Sequence, residues 1–64
     1  MNRLKATREE RGLSQAQLAE KSGVSVRMIQ HYEQGFKDLE RAQVRTVYRL
    51  AKALKTTVEK LIES

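Results

Sequence analysis

The chain has 64 residues, a formal net charge of +5 at pH 7 and a sequence pI near 10.0, and it contains neither proline nor cysteine. This length predicts one small domain over residues 1–64, and the lack of cysteine excludes both disulfides and cysteine-based zinc sites. The basic balance favours an anionic partner, most commonly nucleic acid, and no apolar run approaches the roughly 20 residues of a membrane span.

Helix 1 is predicted over residues 3–11, either capped by Asn2 or starting without a cap, and it should end at Gly12. This helix carries few apolar residues, so two of its arginines, Arg8 and Arg11, need an explanation. Contact with phosphate is one interpretation for both of them.

The next two helices, predicted over residues 14–22 and 25–34, are joined by a tight turn. Ser14 is a good N-cap, and Gln17 stands at the spacing that completes a capping box. Gly23 should end the first of these helices, because glycine takes the left-handed C-cap conformation without penalty. A turn this short cannot reverse the chain into a hairpin, so the two helices must cross steeply, as in a helix-turn-helix.

Helix 3 has two distinct faces, since successive residues of a helix are rotated by 100°. Ile29 and Tyr32 lie about 60° apart and, together with Val24, should form the inward face. Arginine and glutamine can form bidentate hydrogen bonds with guanine and adenine, and valine can contact a thymine methyl group. The outward face therefore predicts a recognition helix whose base-reading residues are Val26, Arg27, Gln30 and His31.

The remaining apolar spacing predicts two further helices after a loop at residues 35–40, which makes five helices and no strand. Leu39 should anchor this loop in the core. Helix 4 is expected from about Ala42 to Leu54, with a basic stripe on its outer side. Helix 5 should open at Thr56, which stands at capping-box spacing from Glu59.

Many positions of the chain agree with one known pattern. In the helix-turn-helix these are Gly12-Leu13-Ser14-Gln15, Leu18-Ala19, Gly23-Val24-Ser25, Ile29, Glu33 and Gly35, and downstream they are Leu50-Ala51-Lys52-Ala53-Leu54 and Val58 to Ile62. The chain thus resembles the Cro/C1-type (XRE-like) helix-turn-helix family of phage repressors over nearly its whole length. The resemblance implies an all-α, lambda-repressor-like domain, a compact bundle of five short helices that binds duplex DNA through helices 2 and 3.

The resemblance also implies roles for single residues. Arg8 and Glu33 are expected to form a structural ion pair between helices 1 and 3, with phosphate contact as the alternative for Arg8. Gln15, in the first turn of helix 2, is expected to contact the DNA backbone, with a solvated glutamine as the alternative. The other expected backbone contacts are Ser14, Met28, Lys37, Arg41 and Arg45. The alternative for Arg41 and Arg45 is a solvated face of helix 4, and Asp38 and Glu40 weaken the electric field beside Lys37.

We therefore expect a sequence-specific transcriptional regulator, with repression as the leading interpretation, that binds double-stranded DNA as a homodimer. It is expected to be cytoplasmic and nucleoid-associated, with no membrane partner. The alternative is a protein-interaction module on the same fold, antitoxin-like or an anti-regulator partner, which Val26 and Met28 keep open. An enzyme is not expected, and neither is a cofactor or a metal, because the single histidine and the absent cysteines supply no catalytic or ligating constellation.

Overall fold

The computed structural model of the protein describes residues 2–62. Its helices, in chain order, are α1 (Leu4–Glu10), α2 (Gln15–Ser22), α3 (Val26–Gln34), α4 (Val44–Ala53) and α5 (Val58–Ile62), with a short 3-10 helix (Leu39–Arg41) between α3 and α4. No strand occurs within residues 2–62, so the prediction of an all-α fold of five short helices is confirmed.

Helix α2 begins and ends at the capping residues that the sequence predicts, and α3 begins at a serine cap. Ser14 Oγ accepts a hydrogen bond from Gln17 N at 3.0 Å, and Gln17 Oε1 accepts one from Ser14 N at 2.8 Å, which is the predicted capping box. Gly23 ends α2 in the left-handed conformation, with φ of 76°. Ser25 then caps α3 by accepting from Met28 N at 3.2 Å. The turn between the two helices is therefore as tight as predicted.

The start of α4 differs from the prediction. The helix begins at Val44 rather than Ala42, because Leu39–Arg41 already forms the separate 3-10 helix and Ala42 closes it by donating to Leu39 O at 3.1 Å. Arg41 consequently lies on the 3-10 helix and not at the N-terminal end of α4. Arg45, in contrast, does lie in the first turn of α4.

The start of α5 also differs from the prediction. Thr57 Oγ1 accepts from Lys60 N at 3.2 Å, so Thr57 and not Thr56 provides the side-chain cap. The reason is that α4 ends through Lys55, whose φ is 56°, and Thr56 N then donates back to Ala51 O at 2.9 Å. Thr56 thus belongs to the end of one helix, and the next helix can begin only one residue later.

The core fills the space between the helices with large apolar side chains that are fully buried, namely Leu4, Leu18, Ile29, Leu39, Leu50, Leu54 and Leu61. Leu39 is one of them, so the prediction that it anchors the loop before α4 is confirmed. Ile29 and Tyr32 hold the inward face of α3 against this core, and the opposite face carries the exposed Arg27 and Gln30. No helix within residues 2–62 is long and apolar enough to cross a lipid bilayer.

Candidate nucleic-acid interface

The predicted base-reading residues share the outer side of α3 but differ in exposure. Arg27 and Gln30 are exposed, whereas Val26 and His31 are half-buried. Helix α3, which carries these residues, is held in the core by the fully buried Ile29. Ser25 caps the helix one residue before Val26. A short helix that is buried on one side and carries polar side chains on the other has the form of a reading element for a groove.

His31 is held by its neighbours rather than standing free. Its ring lies edge-on to Phe36, with ring centroids 6.0 Å apart and planes at 76°. Nδ1 is buried and makes no hydrogen bond within residues 2–62. Because Nδ1 is enclosed, Nε2 is the ring nitrogen left for contact with a partner.

The predicted ion pair between α1 and α3 is confirmed. Arg8 Nε lies 2.7 Å from Glu33 Oε2, and Arg8 Nη2 donates to Glu33 Oε1 at 3.1 Å, so the pairing is bidentate. The side chains are only 11% and 3% exposed. The hydrogen bonds that Arg8 donates to Glu33 raise the pKa of Arg8, against the opposing effect of burial. Arg8 Nη1 also donates to Leu13 O at 2.8 Å, so three of the five N–H donors of Arg8 are bonded within the protein.

Gln15 connects this ion pair to the outer side of α3. Its Nε2 donates to Glu33 Oε1 at 3.0 Å, and its Oε1 accepts from Gln30 Nε2 at 3.3 Å. Gln15 is half-buried, so it is neither a purely solvated glutamine nor a free side chain. Gln15 is the first residue of α2 after the Ser14 cap, so it lies at the N-terminal end of that helix.

The other predicted backbone contacts lie on several elements. Lys37, Arg41 and Arg45 are exposed, and Arg41 makes a weak surface pair with Asp38 at 3.8 Å. Met28 is half-buried against the core. The structure brings part of this set together, because a groove of about 540 Å³ between α3 and α4 is lined by Met28, Lys37 and Arg41 among others.

Several contacts were not predicted, and two of them illustrate pairs that have no local signal in the sequence. The Gln15–Gln30 hydrogen bond joins residues 15 positions apart, and Arg11 Nε donates to Leu54 O, 43 positions away, at 2.8 Å. The second contact gives Arg11 a structural role at the C-terminal end of α4. Only the packing of the helices brings these atoms together.

Within residues 2–62 no group of three or more histidine, cysteine or acidic residues is placed to hold a metal ion. A model of the helix-turn-helix family matches residues 4–61 of the chain. No curated protein and no solved structure matches the chain closely enough to count as a relative.

Proposed function

Because the chain belongs to the Cro/C1-type (XRE-like) helix-turn-helix family of DNA-binding regulators, we propose that it is a sequence-specific repressor of transcription that inserts α3 into the major groove. One observation carries this proposal. Helix α3 is buried along Ile29 and Tyr32 and exposes Arg27 and Gln30, two side chains that can pair with base edges.

In the proposed complex, different residues contact the base edges and the sugar–phosphate backbone. Arg27 reaches a base edge, preferably O6 and N7 of guanine, while Gln30, Val26 and His31 contact neighbouring bases. Helix α2 lies over the sugar–phosphate backbone through its N-terminal turn. The side chains that contact backbone phosphates or sugars are Ser14, Gln15, Met28, Lys37, Arg41 and Arg45. Two copies bind a two-fold-related site, each with its own α3.

A second candidate function is the binding of a protein partner. Among residues 2–62, three large apolar side chains are well exposed: Phe36 at 75%, Val44 at 80% and Tyr48 at 56%. All three lie outside α3, and of these Phe36 packs against the His31 ring on the outer side of that helix.

Selection of bound duplexes from a random pool tests the proposed function directly. We expect one enriched sequence with two half-sites about one helical turn apart. A chain that serves only as a protein-interaction module enriches no sequence. The selected duplex then provides the preferred site for affinity measurements.

Comparing two arginine variants tests the proposed placement. Arg27→Ala should cost about 1–3 kcal/mol on the preferred site and little on random duplex, because it removes a base contact. Arg45→Ala should weaken both duplexes alike and lower the magnitude of the salt slope by about one, because it removes a phosphate contact.

Arg49→Ala is the matched control for Arg45→Ala, since Arg49 carries the same charge on the same helix and is also exposed. It should change neither the base preference nor the salt slope appreciably. Equal losses on specific and random duplex for Arg27→Ala would show that α3 is not the reading element.

A further inference from the structure

We propose that the groove between the end of α4 and the start of α5, together with the exposed Val44 and Tyr48 of α4, binds a short amphipathic helix of a partner protein. This partner helix carries acidic residues beside its apolar face. The inference rests on the second candidate function, to which it gives a surface and a partner of stated chemistry. It does not depend on DNA binding, because the surface includes no residue of α3.

An apolar stripe lies on the exposed side of α4. Val44 and Tyr48 are both well exposed and stand four residues apart, so their side chains lie one helical turn from each other on the same side of the helix. Neighbouring apolar side chains with this exposure are typical of a surface that contacts a partner.

The stripe continues into a groove of about 490 Å³, which is lined from Tyr48 onward. The buried Ala51 and the half-buried Val58 provide apolar contacts along this groove. The two helices that border it are held in the core by fully buried leucines, Leu50 in α4 and Leu61 in α5. The groove is therefore formed before a partner arrives, so little ordering entropy of the protein is lost on binding.

Cations border one side of the stripe. Successive residues of a helix are rotated by 100°, which places Lys52 and Arg49 on the same flank of Tyr48, about 40° and 100° away from it. Both side chains are exposed, and the exposed Lys55 lines the groove beyond them. Residues 41–55 contain no acidic side chain. An apolar stripe with a basic flank is complementary to an amphipathic helix that has acidic residues beside its apolar face.

A second copy of the chain fits this surface less well. A two-fold contact brings the same surface of both copies together, so the cations at Arg49, Lys52 and Lys55 of one copy would face those of the other. Like charges that face each other across an interface reduce affinity. Among the described residues that line the groove, Glu59 is the only acid, and one carboxylate per copy leaves most of this charge unbalanced.

The backbone at Lys55 supports a role for its side chain. Its φ of 56° lies in the left-handed region, which glycine adopts without strain and lysine rarely adopts. Glycine is also the usual residue at this position after a helix. The chain thus keeps a cation beside the groove at a position where glycine is conformationally favoured, and such choices are typical of functional sites.

A display library of helical peptides tests the inference. Helix α4 has 10 residues and is about 15 Å long, so peptides of about 14 residues match it. Each peptide has leucine at helical spacing on one side, and the positions beside the leucines are randomised over glutamate, lysine and serine. The library is selected against the folded parent chain. We expect glutamate to be enriched beside the leucines. The enriched peptide is then synthesised together with a counterpart in which lysine replaces each glutamate.

Variants of the chain locate the binding surface. Tyr48→Ala should weaken binding of the acidic peptide by about tenfold. Lys52→Glu should lower the preference for the acidic peptide over its lysine counterpart by about threefold or more. Lys5→Glu is the matched control, since it makes the same change of charge at an exposed lysine of α1, and it should lower this preference clearly less.

Lys55→Gly separates a role in binding from a role in folding. It should raise the midpoint of thermal unfolding, because glycine accepts the left-handed backbone, while it lowers the preference for the acidic peptide. In the parent chain, the backbone amide resonances of Ala51 and residues 56–59 should shift when the peptide is added, and those of Arg27 and Gln30 should not.

Any of five results overturns the inference. The selection enriches no peptide; it enriches lysine or serine beside the leucines; Tyr48→Ala leaves the affinity unchanged; Lys55→Gly leaves the preference unchanged; or the resonances of α3 shift in place of those at the groove. A dimer of the parent chain that Tyr48→Ala dissociates, measured by sedimentation, identifies a second copy as the occupant and also overturns it. The duplex selection is independent of these measurements, so failure of this inference and failure of the DNA-binding function are distinguishable.

Discussion

At the scale of single residues, the ion pair of Arg8 and Glu33 sets the geometry on which the candidate interface depends. Nearly all of both side chains is withdrawn from water, and the guanidinium also holds Leu13 O. Removing two charges from water offsets much of their mutual attraction, so such a pair adds less to stability than its geometry suggests. Its clearer effect is to fix α1 against α3.

Because desolvation offsets much of the attraction, removing one partner of the pair should reduce stability more than replacing both partners by apolar residues. Arg8→Met should lower the free energy of unfolding by about 3–5 kcal/mol, because it leaves the Glu33 carboxylate buried and unpaired. The double variant Arg8→Met/Glu33→Leu should recover a large part of that loss. Chemical denaturation of both variants and the parent measures the difference. A double variant that is less stable than Arg8→Met would show that the pair itself stabilises the fold.

At the scale of the helices, local hydrogen bonds set where each element begins and ends. The capping box of α2 and the left-handed Gly23 end place α2 and α3 on either side of a tight turn. The same rule operates between α4 and α5, where Lys55 takes the left-handed conformation although it is not glycine. That conformation moves the side-chain cap from Thr56 to Thr57.

Two threonine variants test this assignment. Thr57→Val should destabilise the protein by about 1 kcal/mol, since valine keeps the shape of threonine but removes the oxygen that accepts from Lys60 N. Thr56→Val is the matched control and should cost clearly less, because the Thr56 contact to Ala51 uses its backbone N–H. Thermal unfolding decides between them. The reverse order of stability would restore the cap that was expected from the sequence.

At the scale of the whole molecule, the chain uses most of its large apolar side chains to fill one core. Among the described residues, Phe36, Val44 and Tyr48 are the large apolar side chains that remain well exposed. One recognition helix covers only a few base pairs, so useful specificity needs a second copy on the same site. Little exposed apolar surface is therefore left for self-association in the absence of DNA.

We therefore predict dimerisation on DNA, with little or no dimer in free solution. Sedimentation at micromolar concentration, with and without the selected duplex, measures this. We expect monomer alone and two chains per duplex in the complex, because DNA brings the two copies together at high effective concentration. A duplex carrying a single half-site is the control and should bind one chain. A strictly one-to-one complex on the two-fold-related site would contradict the prediction.

The amino-acid sequence by itself determined what depends on neighbours within one helical turn. The capping box of Ser14 and Gln17 and the end of α2 at Gly23 were predicted correctly, because their hydrogen bonds join residues close along the chain. The inward face of α3, with Ile29 and Tyr32, followed from helical periodicity. The Arg8–Glu33 pair was expected from the family resemblance, since no local spacing indicates it.

Which groups distant along the chain form contacts depends on how the helices pack. The sequence does not show that Gln15 lies between Glu33 and Gln30, or that Arg11 reaches Leu54 O. These partners come from different helices, and their atoms lie within hydrogen-bond distance only after the core has set how the helices pack. Helix boundaries and faces arise from local periodicity and capping, whereas the partner of each polar side chain depends on the packing of the whole chain.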